Sequence, residues 1–336
     1  MIIPSPSADL AARPMPPLSR RSLLALVGLT TFAVAGCSTP GAAGPAEATR
    51  TVTHPLGTAD VPVNPARVVA LDRRGALPHL LALGITPVGA LTHKSIIGTD
   101  FPALVAEQAA DVTVLPVASG ADEPALEPVT ALHPDVIVGY TGGIEEVYPG
   151  LSQIAPTVAV DVDFTDAAVS LRAIAAAVGR EAEAERVVQE FDHRCDEQLG
   201  RLGDLGSVSI VLGIGDQQFR AYSSTGSSVA RWLSERGAAV VPAAEGAEAS
   251  EDKTFMLISP ERLDILTGDT IVVMHNSGPA GEAALAELEA APTWQQLAAV
   301  RAGRVVKINS QSSVGSYGFQ GYESVLDELT SGWPAG

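Results

Sequence analysis

The sequence predicts an α/β protein of two lobes, each with a parallel-rich central sheet, joined by one long rigid α-helix. On both sides of the stretch from Arg180 to Leu202, short β-rich runs alternate with helical patterns, which is typical of parallel sheets with crossover helices. Within that stretch, apolar residues recur at steps of three and four, as on one face of a helix. These residues are Ala184, Val187, Val188, Phe191, Cys195, Leu199 and Leu202. A helix of this length spans roughly 33 Å, about the width of a small domain. We therefore interpret it as the connection between two lobes, the alternative being an ordinary amphipathic helix inside one domain.

Composition and charge exclude some classes of function. The chain has 336 residues, of which 46% are hydrophobic and 18% charged, as in globular proteins with sizeable cores. Its formal net charge is −18, with only 21 Lys and Arg residues. Nucleic-acid binding needs a basic surface that neutralises phosphates, so we expect no nucleic-acid partner.

The first 36 residues are typical of an export signal. Arg20 and Arg21 precede an apolar run, Leu23 to Ala35, that is too short to span a membrane with proper flanks. The run ends in Val-Ala-Gly-Cys at Cys37, which resembles the lipobox of bacterial lipoproteins. We expect a signal peptide over 1–36, exported by the Tat or the Sec route, lipid attachment at Cys37 and a flexible tether over 37–51. Cys195 is then without a partner, so no intramolecular disulfide is expected.

The first lobe is predicted over residues 52–179. Strands are expected near 68–71, 86–91, 112–114, 135–139 and 157–160, with helices near 76–83, 126–132 and 166–178. Ligands of open α/β sheets bind at the carboxyl ends of the strands. This places residues 72–74, 92–94 and 140–143 at the rim of the lobe.

The second lobe is predicted over residues 203–336, after the connecting helix at 180–202. Strands are expected near 208–212, 218–222, 238–241, 271–274 and 304–308, and helices near 228–235, 294–300 and 322–329. A further helix is expected to begin at Ser259-Pro260-Glu261, because Ser at the cap, Pro in the first turn and an acid there all favour a helix start.

Several segments carry a family resemblance in the same order along the chain. In the first lobe they are NPARVVAL, LLALGITPVGAL, ALEPVTALHPDVIVGY and LSQIAPTVAVD, and in the second RWLSERGAAVVP, ISPERLDIL, TWQQLAAVRAGRVVKI and ESVLDEL. Together they resemble the periplasmic binding proteins that deliver ferric siderophores, haem or cobalamin to ABC importers. The resemblance implies two Rossmann-like lobes joined by one long helix, with the ligand held between them. It also implies a monomeric, extracytoplasmic iron-uptake protein without catalysis or cofactor, anchored by lipid at the outer face of the cell membrane, in a periplasm or a Gram-positive wall.

The resemblance further implies two kinds of functional residue. An iron chelate would be held by cationic and aromatic side chains of both rims. The candidates are Arg73, Arg74, His93, Lys94 and Tyr140 in the first lobe, and Phe219, Arg220, Tyr222, Trp232, His275, Tyr317 and Phe319 in the second. The family docks one glutamate of each lobe against arginines of the permease, and Glu127 and Glu261 occupy the matching positions. Both acids also open helices, where the helix dipole alone favours a carboxylate.

The residues leave alternatives open. Haem would need an axial ligand such as Tyr140, Tyr222 or His275, and cobalamin is a cargo of the same transporter class. The six His residues show no metal-ligand spacing, which argues against a carrier of a bare metal ion. Among chelates, the negative net charge favours neutral or cationic hydroxamates. Trp232 could instead face the core of its helix. An exported enzyme or a non-transport adhesin on the same fold is the other class, although Gly-x-Ser-x-Gly, phosphate-loop and His-Glu-x-x-His motifs are absent.

Overall fold

The chain contains two large sheets, one before and one after the long helix α6 (Glu181–Gly200), as the sequence predicts. The computed structural model describes residues 48–72, 75–92, 101, 103–119, 123–163, 166–276, 278–309 and 318–334. The predicted signal peptide, Cys37 and most of the tether lie outside these residues. Within them, no helix is both long and apolar enough to cross a bilayer.

The first lobe contains a five-stranded parallel sheet in the order β5-β4-β3-β8-β9. Strands β3 and β4 and the edge strand β9 are buried along their whole length, as expected for a parallel sheet covered by helices on both faces. The strands are β3 (Val68–Leu71), β4 (Gly89–Leu91), β5 (Thr113–Leu115), β8 (Val136–Tyr140) and β9 (Thr157–Val160). The helices are α1 (Ala76–Ala82), α2 (Leu126–Ala131), α3 (Thr141–Ile144), α4 (Tyr148–Ile154) and α5 (Ala167–Val178).

Two antiparallel pairs accompany this sheet and were not distinguished in the sequence. They are β1 (Thr49–His54) with β2 (Gly57–Pro62), and β6 (Val117–Ser119) with β7 (Glu123–Pro124). The first pair contacts β9, and the Arg50 guanidinium donates a hydrogen bond of 2.6 Å to the carbonyl of Ala176 near the end of α5. This contact helps to hold the start of the described chain on the first lobe.

The second lobe contains a mixed sheet in the order β13-β11-β10-β14-β15, with β12 also paired to β10. β10, β12, β14 and β15 run parallel, whereas β11 pairs antiparallel with both β10 and β13. The strands are β10 (Ser207–Gly215), β11 (Gln218–Tyr222), β12 (Ala239–Val240), β13 (Phe255–Ile258), β14 (Thr270–His275) and β15 (Val305–Asn309). The α-helices are α7 (Ser228–Glu235), α8 (Pro279–Ala290), α9 (Ala298–Arg301) and α10 (Gly318–Ser331).

The second lobe differs from the sequence prediction in four places. Strand β13, Phe255–Ile258, was not predicted. The helix expected after Ser259 is a 3-10 helix, Pro260–Ile265. The helix expected over 294–300 divides into a 3-10 turn, Trp294–Gln296, and α9. Helix α8 was not predicted. Its segment is rich in Ala and Glu and lacks the strong apolar stripe that indicates an amphipathic helix.

The long helix α6 spans Glu181–Gly200, and its buried residues are five of the seven predicted ones: Ala184, Val188, Phe191, Cys195 and Leu199. Gly179 ends α5 in the left-handed conformation, with φ 71°, and acids occupy the first turn of α6, where the helix dipole favours them.

Ion pairs join α6 to both lobes. On the first-lobe side, Glu185 pairs with Arg172 of α5 at 2.7 Å. On the second-lobe side, Arg194 pairs with Asp327 of α10 at 2.9 Å, and Asp196 with Arg236 at 2.8 Å. Exposed pairs of this kind contribute little free energy each, so the apolar face carries most of the attachment.

One apolar cluster runs through both lobes. It includes residues of β3 and β8 in the first sheet, residues of β10 and β14 in the second, and the buried faces of α5, α6, α7 and α10. Smaller clusters cover the opposite face of each sheet. The residues from Glu47 onward form one compact unit.

Candidate functional site at the strand ends

Three neighbouring strands of the first lobe end at one edge. The register of β3, β4 and β8 brings Asp72, Thr92 and Tyr140 to the same level, one residue beyond or at the end of each strand. The Asp72 carboxylate accepts hydrogen bonds from the backbone N–H groups of Gly75 at 2.8 Å and Ala76 at 3.1 Å. Asp72 therefore holds the start of α1, while Tyr140 is half-buried at the rim.

The corresponding edge of the second lobe carries a half-buried cation. Arg220 on β11 lies opposite Leu212, near the carboxyl end of β10. Its guanidinium carbon is 4.6 Å from the centre of the Phe255 ring, a cation–π geometry. His275 is half-buried and ends β14.

The two lobes meet beneath these edges, where α1 packs against α10. His79 of α1 is fully buried there, and a Cβ atom placed on Gly318 of α10 would lie 3.1 Å from its Nδ1 atom. Neither ring nitrogen has a hydrogen-bond partner within the described part of the chain. Burial lowers the pKa of His79 to about 4, because the charged ring would lose its hydration.

Buried polar atoms without a partner among the described residues concentrate in this region. They belong to Thr92 and Thr141 at strand ends, to Arg220 within β11, and to His79 and Gln320 in the contact between α1 and α10. The two other side chains of this kind, Arg50 and Arg236, lie in the first hairpin and just after α7. Unpaired buried polar groups cost free energy, so their concentration here is typical of a surface that pairs with a polar ligand.

A second contact between the lobes lies beside the aromatic cluster formed by Phe191, Trp232, Phe319 and Tyr322. The Tyr322 hydroxyl accepts a hydrogen bond of 2.8 Å from the backbone N–H of Ala167, the first residue of α5. It also bonds to the Ser228 hydroxyl of α7 at 2.6 Å. Burial raises the Tyr322 pKa to about 12, so the neutral phenol holds the start of α5 against two helices of the second lobe.

The family model of periplasmic binding proteins matches residues 92–312. The chain belongs to the periplasmic binding protein family. The putative ABC transporter substrate-binding lipoprotein YhfQ of Bacillus subtilis (strain 168) is 28% identical over 323 residues, covering 93% of this chain and 97% of that one. The probable siderophore-binding lipoprotein YfiY of the same organism is 34% identical over 165 residues, or 49% of each chain. The solved structure of Staphylococcus aureus SirA with staphyloferrin B shares the fold, with a TM-score of 0.64 and 23% identity over 84% of this chain and 98% of SirA.

The predicted ligand residues of this periplasmic binding protein fall into three groups. Tyr140 and His275 lie half-buried at the ends of β8 and β14, and Arg220 lies half-buried within β11. Phe219, Tyr222, Trp232 and Phe319 are at most 5% exposed, and the structure places them in the core. Arg73, Arg74, His93, Lys94 and Tyr317 lie outside the described residues.

Strand alternation explains the different positions of the β11 residues. Phe219 belongs to the cluster on the outer face of the second sheet, whereas Tyr222 belongs to the cluster shared by both lobes. Arg220 lies on the same face as Tyr222, since every second residue of a strand points the same way. Trp232 lies on the buried face of α7, as the alternative interpretation of its spacing had it.

Glu127 and Glu261, which match the family's docking positions, are both exposed. They lie in the first turns of α2 and of the 3-10 helix at 260–265. The Ser259 hydroxyl donates a hydrogen bond of 2.7 Å to Glu261 and holds the pKa of Glu261 below its usual value. Glu261 is thus a fixed anion, whereas no hydrogen bond or ion pair with a described residue orients the Glu127 side chain.

Sequence reasoning missed three residues of the site: His79, Phe255 and Gln320. His79 and Gln320 belong to helices of different lobes, so their proximity depends on tertiary packing that no local pattern encodes. Phe255 had a usable signal, because pairing of β11 with a following strand would place an aromatic residue beside Arg220. No group of three or more potential metal ligands occurs among the residues with a described position.

Proposed function

We propose that this chain is the substrate-binding component of an ABC importer, which captures a ferric siderophore between its two lobes and delivers it to the permease. The observation that carries the proposal is the concentration of buried polar groups without a partner among the described residues, at the strand ends of the first sheet and between α1 and α10, together with Arg220 and Tyr140 at the rims. YhfQ is named for this transporter role, YfiY for siderophore binding, and SirA was solved with staphyloferrin B. The lobes are assigned to residues 52–179 and 203–336, with 180–202 between them.

A binding panel tests the cargo. The protein, purified in detergent from the membranes of cells that make it, is titrated with ferric hydroxamates, ferric catecholates, ferric citrate, haem and cobalamin while tryptophan fluorescence is recorded. Micromolar or tighter quenching by a ferric chelate, with none by haem or cobalamin, supports the proposal. Selective binding of haem or cobalamin would assign the protein to another cargo, and binding of none would refute a role in capture.

The proposed location is the outer face of the cell membrane, with lipid attached at Cys37. Cys195 is not an alternative attachment point, because it is buried and burial raises its thiol pKa to about 12, which leaves little reactive thiolate. Relatives named as lipoproteins support this assignment.

Glu127 and Glu261 are proposed to dock against cationic residues of the permease. Exposed ion pairs contribute only about 0–1 kcal/mol each, so they orient the complex more than they hold it. The double substitution Glu127→Ala and Glu261→Ala should leave chelate affinity unchanged and abolish uptake of iron-55 chelate by cells.

Glu181 and Glu282 supply the matched control for this experiment. They are also exposed acids in first turns of helices, one in α6 and one in α8, so their replacement by Ala removes the same helix-dipole interaction. Uptake should persist in that control. If the Glu127/Glu261 variant transports as well as the control, the docking role is refuted.

A further inference from the structure

Arg220 belongs to an ordered patch on the inner face of the second sheet. Strands β10, β11 and β13 place two cross-strand rows on this face. The first row consists of Ile210, Tyr222 and Phe255, and the second, nearer the carboxyl end of β10, of Leu212, Arg220 and Leu257. Arg220 therefore lies directly opposite Leu257 and diagonal to Phe255, within reach of a long side chain.

Two aromatic side chains hold the guanidinium. The centre of the Phe255 ring lies 4.6 Å from the guanidinium carbon of Arg220. The Tyr222 ring packs edge to face against Phe255, with 6.2 Å between the ring centres. Burial raises the Tyr222 pKa, while the charge of Arg220 and a side-chain hydrogen bond from it act in the opposite direction. An arginine held in this way has already lost much of its rotamer freedom before any ligand arrives.

No carboxylate among the described residues neutralises the charge of Arg220. Among the described residues, Arg172, Arg194, Arg231 and Arg262 each pair with an acid within 4 Å, whereas no such pair includes Arg220. Its Nε atom is buried without a partner there. An aromatic ring attracts the cation without cancelling its charge, so Phe255 fixes the guanidinium and leaves it available to an external anion.

We infer that Phe255 is a specificity-determining residue, which positions Arg220 so that the second lobe selects ferric chelates presenting an anionic oxygen, such as a carboxylate, over uncharged chelates. This inference rests on the proposed function. It departs from the preference for neutral or cationic chelates that the net charge indicates. A contact at a few ångströms outweighs distant surface charges, which salt screens beyond about 8–10 Å.

Calorimetric titration of the full chain with two probes, ferric citrate and an uncharged ferric trihydroxamate, tests the inference. Phe255→Leu should weaken citrate binding by about 3- to 10-fold, the size of a partly desolvated cation–π contact, and trihydroxamate binding by less than 2-fold. Phe255→Tyr retains the ring face and should bind both probes as the wild type does. Leu257→Ala, on the same strand and face, is the matched control and should leave the ratio of the two affinities unchanged.

A second variant keeps the test informative if Phe255→Leu fails to fold. Arg220→Lys preserves the charge but not the planar stacking, and it should lose affinity for citrate selectively. Equal losses for both probes in either variant, or a wild type that binds only the uncharged chelate, would overturn the inference. If the wild type binds citrate and Arg220→Ala binds it equally well, the inference fails while chelate capture stands. If neither these probes nor any of the panel bind, the proposed function itself fails, and the inference fails with it.

Discussion

At the residue scale, His79 lowers the stability of the contact between the lobes. A buried imidazole without a described partner forfeits hydration, and Leu at this position would bury more apolar surface. Gly75 and Gly318 leave room around the ring, since a Cβ on either would approach it within 3.4 Å. The ring is therefore packed closely, and neither of its nitrogens is hydrogen-bonded to a described residue.

The stability of the protein should depend on pH through His79. Its pKa is about 4 in the folded protein and about 6.5 in an unfolded chain. Between these values only the unfolded state takes up the proton, so stability falls as pH decreases from 6.5 to 4, by on the order of 1.4 kcal/mol per pH unit. Urea unfolding from pH 4.5 to 7 should show a shallower pH dependence in His79→Leu than in the wild type.

His193 provides the control for that measurement, because its side chain is exposed on α6. His193→Leu should retain the wild-type dependence on pH. Parallel stability curves for His79→Leu and the wild type would show that His79 does not titrate on unfolding.

At the element scale, the sequence predicted the elements with clear periodicity and missed those without it. The repeat of Val188, Phe191 and Cys195 determined α6 correctly, because a helix face is a local property. The 3-10 geometry at 260–265 and helix α8 depend on packing against neighbouring elements. Among site residues, local patterns located Tyr140 at a strand end and Arg220 within the strand at 218–222, but only the paired strands showed that Phe219 lies on the opposite face of the sheet from Arg220.

Substitution by Ala should change the stability of the protein in opposite directions at Gly179, just before α6, and at Gly200, its last residue. Gly179 has φ 71°, and a Cβ there would lie 3.2 Å from the carbonyl oxygen of Val63, so Gly179→Ala should destabilise the protein by about 1–2 kcal/mol. Gly200 is the last residue of α6 and has open space around it. Gly200→Ala should stabilise by up to about 1 kcal/mol through helix propensity. Urea unfolding midpoints of the two variants measure both effects, and shifts of the same sign would contradict this account.

At the scale of the whole molecule, the Tyr322 hydroxyl restricts movement of one lobe against the other. It bonds to the first residue of α5 and to α7, and an ion pair of 3.2 Å between Arg231 and Asp166 lies at the same place. Because α5 begins just after β9 ends, this contact lies close to the strand ends that form the site. Closure on a ligand should therefore be a small movement.

Tyr322→Phe should remove both hydrogen bonds and leave the Ala167 N–H and the Ser228 hydroxyl without this partner. The expected loss of stability is about 1–3 kcal/mol, with faster hydrogen exchange at the Ala167 amide measured by mass spectrometry. Tyr148→Phe is the control, because the one hydrogen bond of its hydroxyl to a described residue is a long contact of 3.3 Å to His54, and it should change stability by less than about 0.5 kcal/mol. Unchanged exchange at Ala167 in Tyr322→Phe would mean that the hydroxyl does not restrain the lobes.

The apolar cluster shared by the two sheets has a thermodynamic consequence. Unfolding of either lobe would expose apolar residues of the other lobe to water. Heating should therefore produce one cooperative endotherm and not two. Any molecule that binds only the native form then raises the melting temperature of the entire chain, including strands it never touches. Differential scanning calorimetry would thus report cargo capture without a label or a fluorophore.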